Sequence, residues 1–125
     1  AQQPIQPTQT VVATIEVEKN EYVNKTILLQ VINQTEGLRI KLSELRASSR
    51  DVLEYYRSID DVENTEKWLN IVVQFNQAIS DAGKITAYAE NVVDSATKED
   101  VSTIKSMIGG TLKTLDKIVK LVRSN

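Results

Sequence analysis

Apolar residues recur in alternating steps of four and three along most of this chain. Between Trp68 and Ala96 the series reads Trp68, Val72, Phe75, Ile79, Ala82, Thr86, Ala89, Val93, Ala96. That spacing keeps side chains on one stripe of an α-helix packed along another helix, so the stretch reads as a long central helix. The same rhythm precedes it in Leu28, Val31, Thr35, Leu38, Leu42, Leu45, Ser49, Val52, Tyr56 and Ile59, with Ile27, Ile32, Leu53 and Tyr55 widening the stripe. It follows again in Val101, Ile104, Ile108, Thr111, Leu115, Ile118 and Val122. The pattern predicts an all-α protein: an elongated, coiled-coil-like antiparallel three-helix bundle with helices over about 20–59, 62–95 and 98–123.

The breaks in the pattern are short and carry capping chemistry. Asp60-Asp61-Val62-Glu63 offers a capping box for the second helix, with Asn64-Thr65-Glu66 as a competing start, because short acidic side chains accept from free N–H groups three residues on. Ser95 and Thr97 can cap the third helix, with Glu99 and Asp100 in its first turn and Lys117, Lys120 and Arg123 near its end, where the helix dipole favours each sign. Short turns make successive helices antiparallel neighbours. Folding about residue 62 sets Tyr56 near Trp68 and Leu45 near Ile79, and folding about residues 96 and 97 sets Gly110 near Gly83. Gly37 sits within the first stripe, and Gly109-Gly110 interrupts the third helix, as a kink or as a close approach of a neighbour.

The first 18 residues follow other rules. Ala1 to Thr10 is rich in Gln, Pro and Thr and offers little to bury. From Thr10 to Glu18 the period changes to two, with Val11, Ala13, Ile15 and Val17 alternating with Val12, Thr14, Glu16 and Glu18, which taken alone is a strand. The plain reading is an extended leader or the frayed start of the first helix. The sharper one is a strand that completes a sheet in a partner or in another copy of the chain. We therefore divide the chain into a flexible or extended N-terminal segment at 1–18 and one helical-bundle domain at 19–125.

Composition narrows what such a bundle can do. The chain has 125 residues, 41% of them hydrophobic, enough for one domain with its own core. Its net charge of −2 gives no general reason to expect nucleic acid. The charge is unevenly spread, being 0 over residues 15–59, −5 over 60–94 and +3 over 95–125, so an acidic middle helix sits beside a basic third one. No apolar run approaches the length of a transmembrane helix. The chain begins Ala1-Gln2-Gln3-Pro4, as a mature protein does after signal-peptide removal, and we expect a secreted or periplasmic location. Asn24-Lys25-Thr26 and Asn33-Gln34-Thr35 match the glycosylation acceptor pattern.

Candidate chemistry is sparse. The sequence has neither His nor Cys, which removes the commonest general bases, metal ligands and nucleophiles, and the acidic residues fall mostly outside the apolar stripes. We expect no cofactor, no metal and no enzymatic activity. Contact surfaces remain. Arg39, Arg46, Arg50 and Arg57 recur at seven, four and seven, forming either a docking ridge for an acidic partner or a solvated face paired to Glu36, Glu54 and the second helix. Tyr55, Tyr56 and Trp68 gather at the first turn, as core or as a partner contact of the kind aromatic residues favour. The small residues Ala82, Gly83, Ala89, Gly109 and Gly110 mark where interior room would exist. The leading expectation is a non-enzymatic exported helical protein acting through protein contacts or self-association. The alternative is a carrier of a small apolar ligand, and a carboxylate-based enzyme is the weakest reading.

Overall fold

A computed structural model describes residues 7–124, with side chains from Tyr22 onward. Helix α1 spans Pro7–Ser58, α2 spans Val62–Val92, a 3-10 turn covers Val93–Ser95, and α3 spans Lys98–Arg123. Three antiparallel helices thus replace the periodic segments nearly residue for residue, and no strand occurs among the described residues. Helix α2 lies between the other two, whereas the α1 and α3 backbones draw close at few positions.

The main departure is at the leader. Residues 10–18 lie inside α1 rather than in an extended or strand-forming segment. A lone strand here has no neighbour to complete its hydrogen bonds, while a continued helix closes them within the segment itself. Pro7 occupies the first helical position, where its missing N–H costs nothing and its fixed φ suits the helix. Residues 1–6, the first part of the expected tail, fall outside the described residues.

The α1–α2 turn is built from backbone geometry. Asp60 has a φ of 56°, the left-handed region. Its N–H donates to the Arg57 carbonyl at 3.2 Å, and the Asp61 N–H reaches back to the Tyr56 carbonyl at 3.0 Å. This pair of bonds is the Schellman ending of a helix. Asp61 then caps α2, its Oδ1 accepting from the Asn64 N–H at 3.1 Å. The cap therefore uses Asp61 and Asn64, not an Asp60–Glu63 box. At the other turn Thr97 caps α3: its Oγ1 accepts from the Asp100 N–H at 3.1 Å while the Asp100 carboxylate accepts from the Thr97 N–H at 3.0 Å.

Register follows from the turn. Thr35 meets Thr86 at 2.7 Å between hydroxyls, and Arg46 donates to the Asn76 side chain at 2.9 Å. These pairs fold about residues 60 and 61, so Thr35 faces Thr86 rather than Ala89, which folding about residue 62 would bring opposite it. Starting α2 immediately after the left-handed Asp60 shortens the turn and produces the shift.

The core forms two clusters separated by a polar layer. Leu28, Ile85, Ala89, Ala96 and Ile104 pack at the α2–α3 turn end. Leu42, Ile71, Phe75, Ala78 and Ile118 pack toward the α1–α2 turn, with Trp68 against them. Thr35, Thr86 and Thr111, one from each helix, are buried between the clusters. Gly109 and Gly110 do not interrupt α3, and α1 runs unbroken through Gly37.

Unequal helix lengths leave two overhangs. The Asn24 side-chain amide donates to the Ala96 carbonyl at 3.4 Å and the Lys25 ammonium meets Asp94 at 3.1 Å, which puts the α2–α3 connection level with residues 24 and 25. Helix α1 runs on from there through residues 7–23, about 25 Å at 1.5 Å per residue. At the opposite end the Lys67 ammonium donates to the Ser124 carbonyl, so α3 stops level with Lys67 and the α1–α2 hairpin continues past it.

Two stability outcomes follow from this packing and capping. Leu28 is fully buried and Leu29 is half exposed, so Leu28→Ala is expected to cost about 2–5 kcal/mol and Leu29→Ala no more than about 0.5 kcal/mol in urea unfolding; equal costs would contradict the assigned core face. Asp61 and Asp100 both titrate below their ordinary 3.8. Hydrogen bonds from the Asn64 side chain and backbone hold Asp61 down, and the Thr97 N–H and then the Tyr88 hydroxyl hold Asp100 down. A lowered folded value stabilises the fold above the unfolded value and loses that contribution as pH falls through the folded one. The urea midpoint should therefore be level near neutrality and drop below about pH 4, and that drop should shrink in an Asp61→Asn, Asp100→Asn double variant.

Candidate functional site

The largest unexplained feature is an apolar stripe on the outside of α1. At 100° per residue, positions 22, 29, 40 and 47 fall within about 20° of one another. Tyr22 is 72% exposed, Leu29 50% and Ile40 59%, and Ala47 is also exposed. None of them belongs to the four-and-three series that marks the core. Their own spacing of seven, eleven and seven, each close to a whole number of turns, is the signal by which sequence reading could have found them. Beside Ile40 an open groove of about 560 Å³ is lined by Arg39, Ile40, Ser43, Glu44, Ala47 and, from α2, Ile79.

The leader positions join this stripe only in part. Val11, Ala13, Ile15 and Val17 would share one face of a strand, but a helix divides them. Positions 11 and 15 fall on the azimuth of Tyr22 and Leu29, and 13 and 17 fall on the opposite side. Their side chains lie outside the described residues.

Three of the four arginines of the basic ridge have side-chain partners. Arg39 meets Glu36 at 2.7 Å and Arg57 meets Glu54 at 2.9 Å, each within α1. Arg46 reaches across to Asn76 of α2, and its Nε, buried in the seam, has no partner among the described residues. Arg50 is exposed and makes no ion pair among the described residues. The ridge flanks the apolar stripe on its α2 side.

The three aromatic residues near the first turn have different surroundings. Tyr55 and Tyr56 stack edge to face, with ring centroids 5.3 Å apart at 67°. Trp68 instead packs half-buried on the Ile71–Phe75 cluster. Tyr55 is left exposed near Ile59 and Val62, which are also exposed.

Of the small-residue layer, Gly110 lines a hollow between α2 and α3. Ala82 and Ala89 are fully buried. A Cβ placed on Gly83, Gly109 or Gly110 would meet nothing within 4 Å, so these glycines serve no close approach. The hollow that Gly110 lines is open, about 190 Å³, and is lined together with Asp81, Lys84 and Met107. A more enclosed cleft of about 140 Å³ lies where α1 and α3 separate, lined by Gln34, Thr35, Leu38, Ile85, Ile108, Thr111 and Leu112.

Asp61 and Asp100 are occupied as caps and are held below the usual carboxylate range, the opposite of what a general acid near neutrality needs. The Tyr88 hydroxyl is pushed above its ordinary value because it donates to Asp100 at 2.9 Å. Asn24 spends its amide on the Ala96 carbonyl, whereas Asn33 is exposed.

Compared with known protein families, curated proteins and solved structures, the chain matches none.

The open surroundings of Gly110 give a direct test of why glycine is there. Gly110→Ala is expected to raise stability by up to about 1 kcal/mol, the helix-propensity difference, read as a higher urea midpoint with unchanged slope. A loss of stability would mean that something packs closely against that glycine.

Proposed function

We propose that this chain is a non-enzymatic, exported helical subunit that works through protein contacts, in a structural, adaptor or surface-assembly role. The observation that carries the reading is that α1 outruns the bundle by residues 7–23 and continues below as a stripe of exposed Tyr22, Leu29 and Ile40. A helix of this length standing alone is marginal in water unless an apolar face is covered. Exposed apolar surface arranged in a line is also what helix-in-groove contacts use. The sequence, which contains neither His nor Cys, adds to the case against catalysis, and among the described residues no helix is long and apolar enough to cross a membrane.

Cross-linking through lysines, followed by mass spectrometry, tests this reading in extract from the source cells. Intermolecular cross-links should map to α1 and disappear when residues 1–18 are removed, while circular dichroism of the shortened chain keeps its cooperative helical melt. Cross-links that persist unchanged after removal, or that never map to α1, would overturn it.

One observation favours a second reading, a carrier of a small apolar ligand. The 140 Å³ cleft between α1 and α3 has Leu38, Ile85, Ile108 and Leu112 as apolar walls and the Thr35 and Thr111 hydroxyls beside them, and both hydroxyls already bond their own helix backbone.

A further inference from the structure

Helix α1 is bipolar along its length. Residues 7–23 carry Glu16, Glu18 and Glu21 against Lys19 alone, a net charge of −2. Residues 39–57 carry five basic and three acidic side chains, a net charge of +2. The intervening stretch, 24–38, is neutral, with Lys25 and Glu36. The exposed stripe of Tyr22, Leu29, Ile40 and Ala47 runs through all three parts.

The geometry points to a second copy of this chain as the occupant of that stripe: we propose that two chains pair antiparallel along α1. The acidic first third of each helix lies on the basic third of the other, in the groove beside Ile40 and Ile79. With the two-fold axis near residue 31, Tyr22 of one copy faces Ile40 of the second copy, and each makes the contact the other makes, as an isologous dimer requires. In an antiparallel pair each flank of a helix faces the same flank of its mate. Position 21 falls within about 20° of the azimuth of Arg39, Arg46 and Arg50, so the flank that is acidic near residue 21 meets the flank that is basic beyond residue 39. A parallel pair would set acid on acid and base on base, which charge repulsion disfavours. The paired length, from about residue 15 to about residue 47, is close to 50 Å of helix. It covers the part of the projecting segment nearest the bundle and the Arg39 and Arg46 end of the exposed ridge.

This inference rests on the protein-contact reading above and names its partner. The test combines light scattering of the full chain with cysteine trapping, which is clean because the chain has no cysteine of its own. The wild-type chain should run as a dimer. Ile40→Glu should weaken the dimer by at least about tenfold in dissociation constant while the dissociated chain keeps a cooperative helical melt, because Ile40 is not in the core. Reversing Arg39 and Arg46 together to Glu should weaken it similarly, and adding Glu18→Arg with Glu21→Arg should restore it. Mixing Tyr22→Cys chains with Ile40→Cys chains should give a disulfide-linked dimer, while neither variant links to itself. A chain that stays monomeric overturns the proposal, and so does self-linking of Tyr22→Cys, which would signify parallel pairing. A monomer that still cross-links to a different protein through residues 1–18 overturns the self-pairing while leaving the protein-contact reading in place.

Discussion

The seam between α1 and α2 carries the rest of the molecule. Ala78, Ala82 and Ala89 are completely buried in α2, and their small size lets the helices approach closely enough for large neighbours such as Leu28, Ile71 and Ile85 to interdigitate. Apolar packing of this kind is weakly directional, and a seam with a regular four-and-three repeat tolerates a slip by whole heptads. The Thr35–Thr86 contact is directional. Thr35 donates its proton to the Val31 carbonyl at 2.7 Å, which leaves its oxygen free to accept from Thr86 at 2.7 Å. A buried hydrogen bond of this type contributes about 0.5–1.5 kcal/mol net. Its larger effect is to favour one register among several of similar apolar burial. The Schellman turn at Asp60 enforces the same register from the chain itself.

Once that seam is set, helix length decides where surface is left over. Helix α2 is shorter than α1 and α3 is shorter still, so α3 packs beside the end of α2 near the α2–α3 turn but stops short of the α1–α2 turn. The α2–α3 turn is tied to α1 at residues 24 and 25 by Asn24 and Lys25, which leaves the first part of α1 beyond every other element. Because the α1 and α3 backbones draw close at few positions, the bundle is closed around α2 and looser on the α1–α3 side, where the 140 Å³ cleft opens. The shape thus comes from one tight seam and one loose one.

How much of this was legible in the sequence depended on whether burial or geometry wrote the signal. The three helices and both turns were readable because each core position recurs at three or four residues and each turn carries short acidic or hydroxyl caps. The register was readable only to within a turn, since the fold point depends on whether Asp60 or Asp61 begins the new helix, and that is settled by Asp60 taking a left-handed φ. The strand-like alternation of Val11 to Val17 misled because β-branched residues mark a strand only where a sheet exists to pair with it. The glycine pair in α3 misled in another way: two glycines lower helix propensity by roughly 2 kcal/mol together, yet tertiary packing through Ile104, Thr111 and Ile118 holds the helix through them. The outer stripe of α1 is legible as a second spacing of seven, eleven and seven, but its residues fall between the core positions, and the placement of α2 and α3 shows that this face is left bare.

The charge pattern within α1 is what a single bundle leaves unexplained. The neighbouring α2 and α3 carry opposite net charge inside one chain, but the acidic first third of α1 has no basic element beside it, because α2 and α3 end before reaching it. The basic third of α1 is answered mainly within its own helix, by Glu36 and Glu54 at three-residue spacing, and exposed pairs of that kind contribute well under 1 kcal/mol. Neither end therefore gains much from its sign in the isolated molecule. Antiparallel self-pairing gives both ends a function at once: it covers the Tyr22–Leu29–Ile40 stripe, sets opposite charges together along one flank, and discourages the parallel arrangement that the same apolar stripe would otherwise allow.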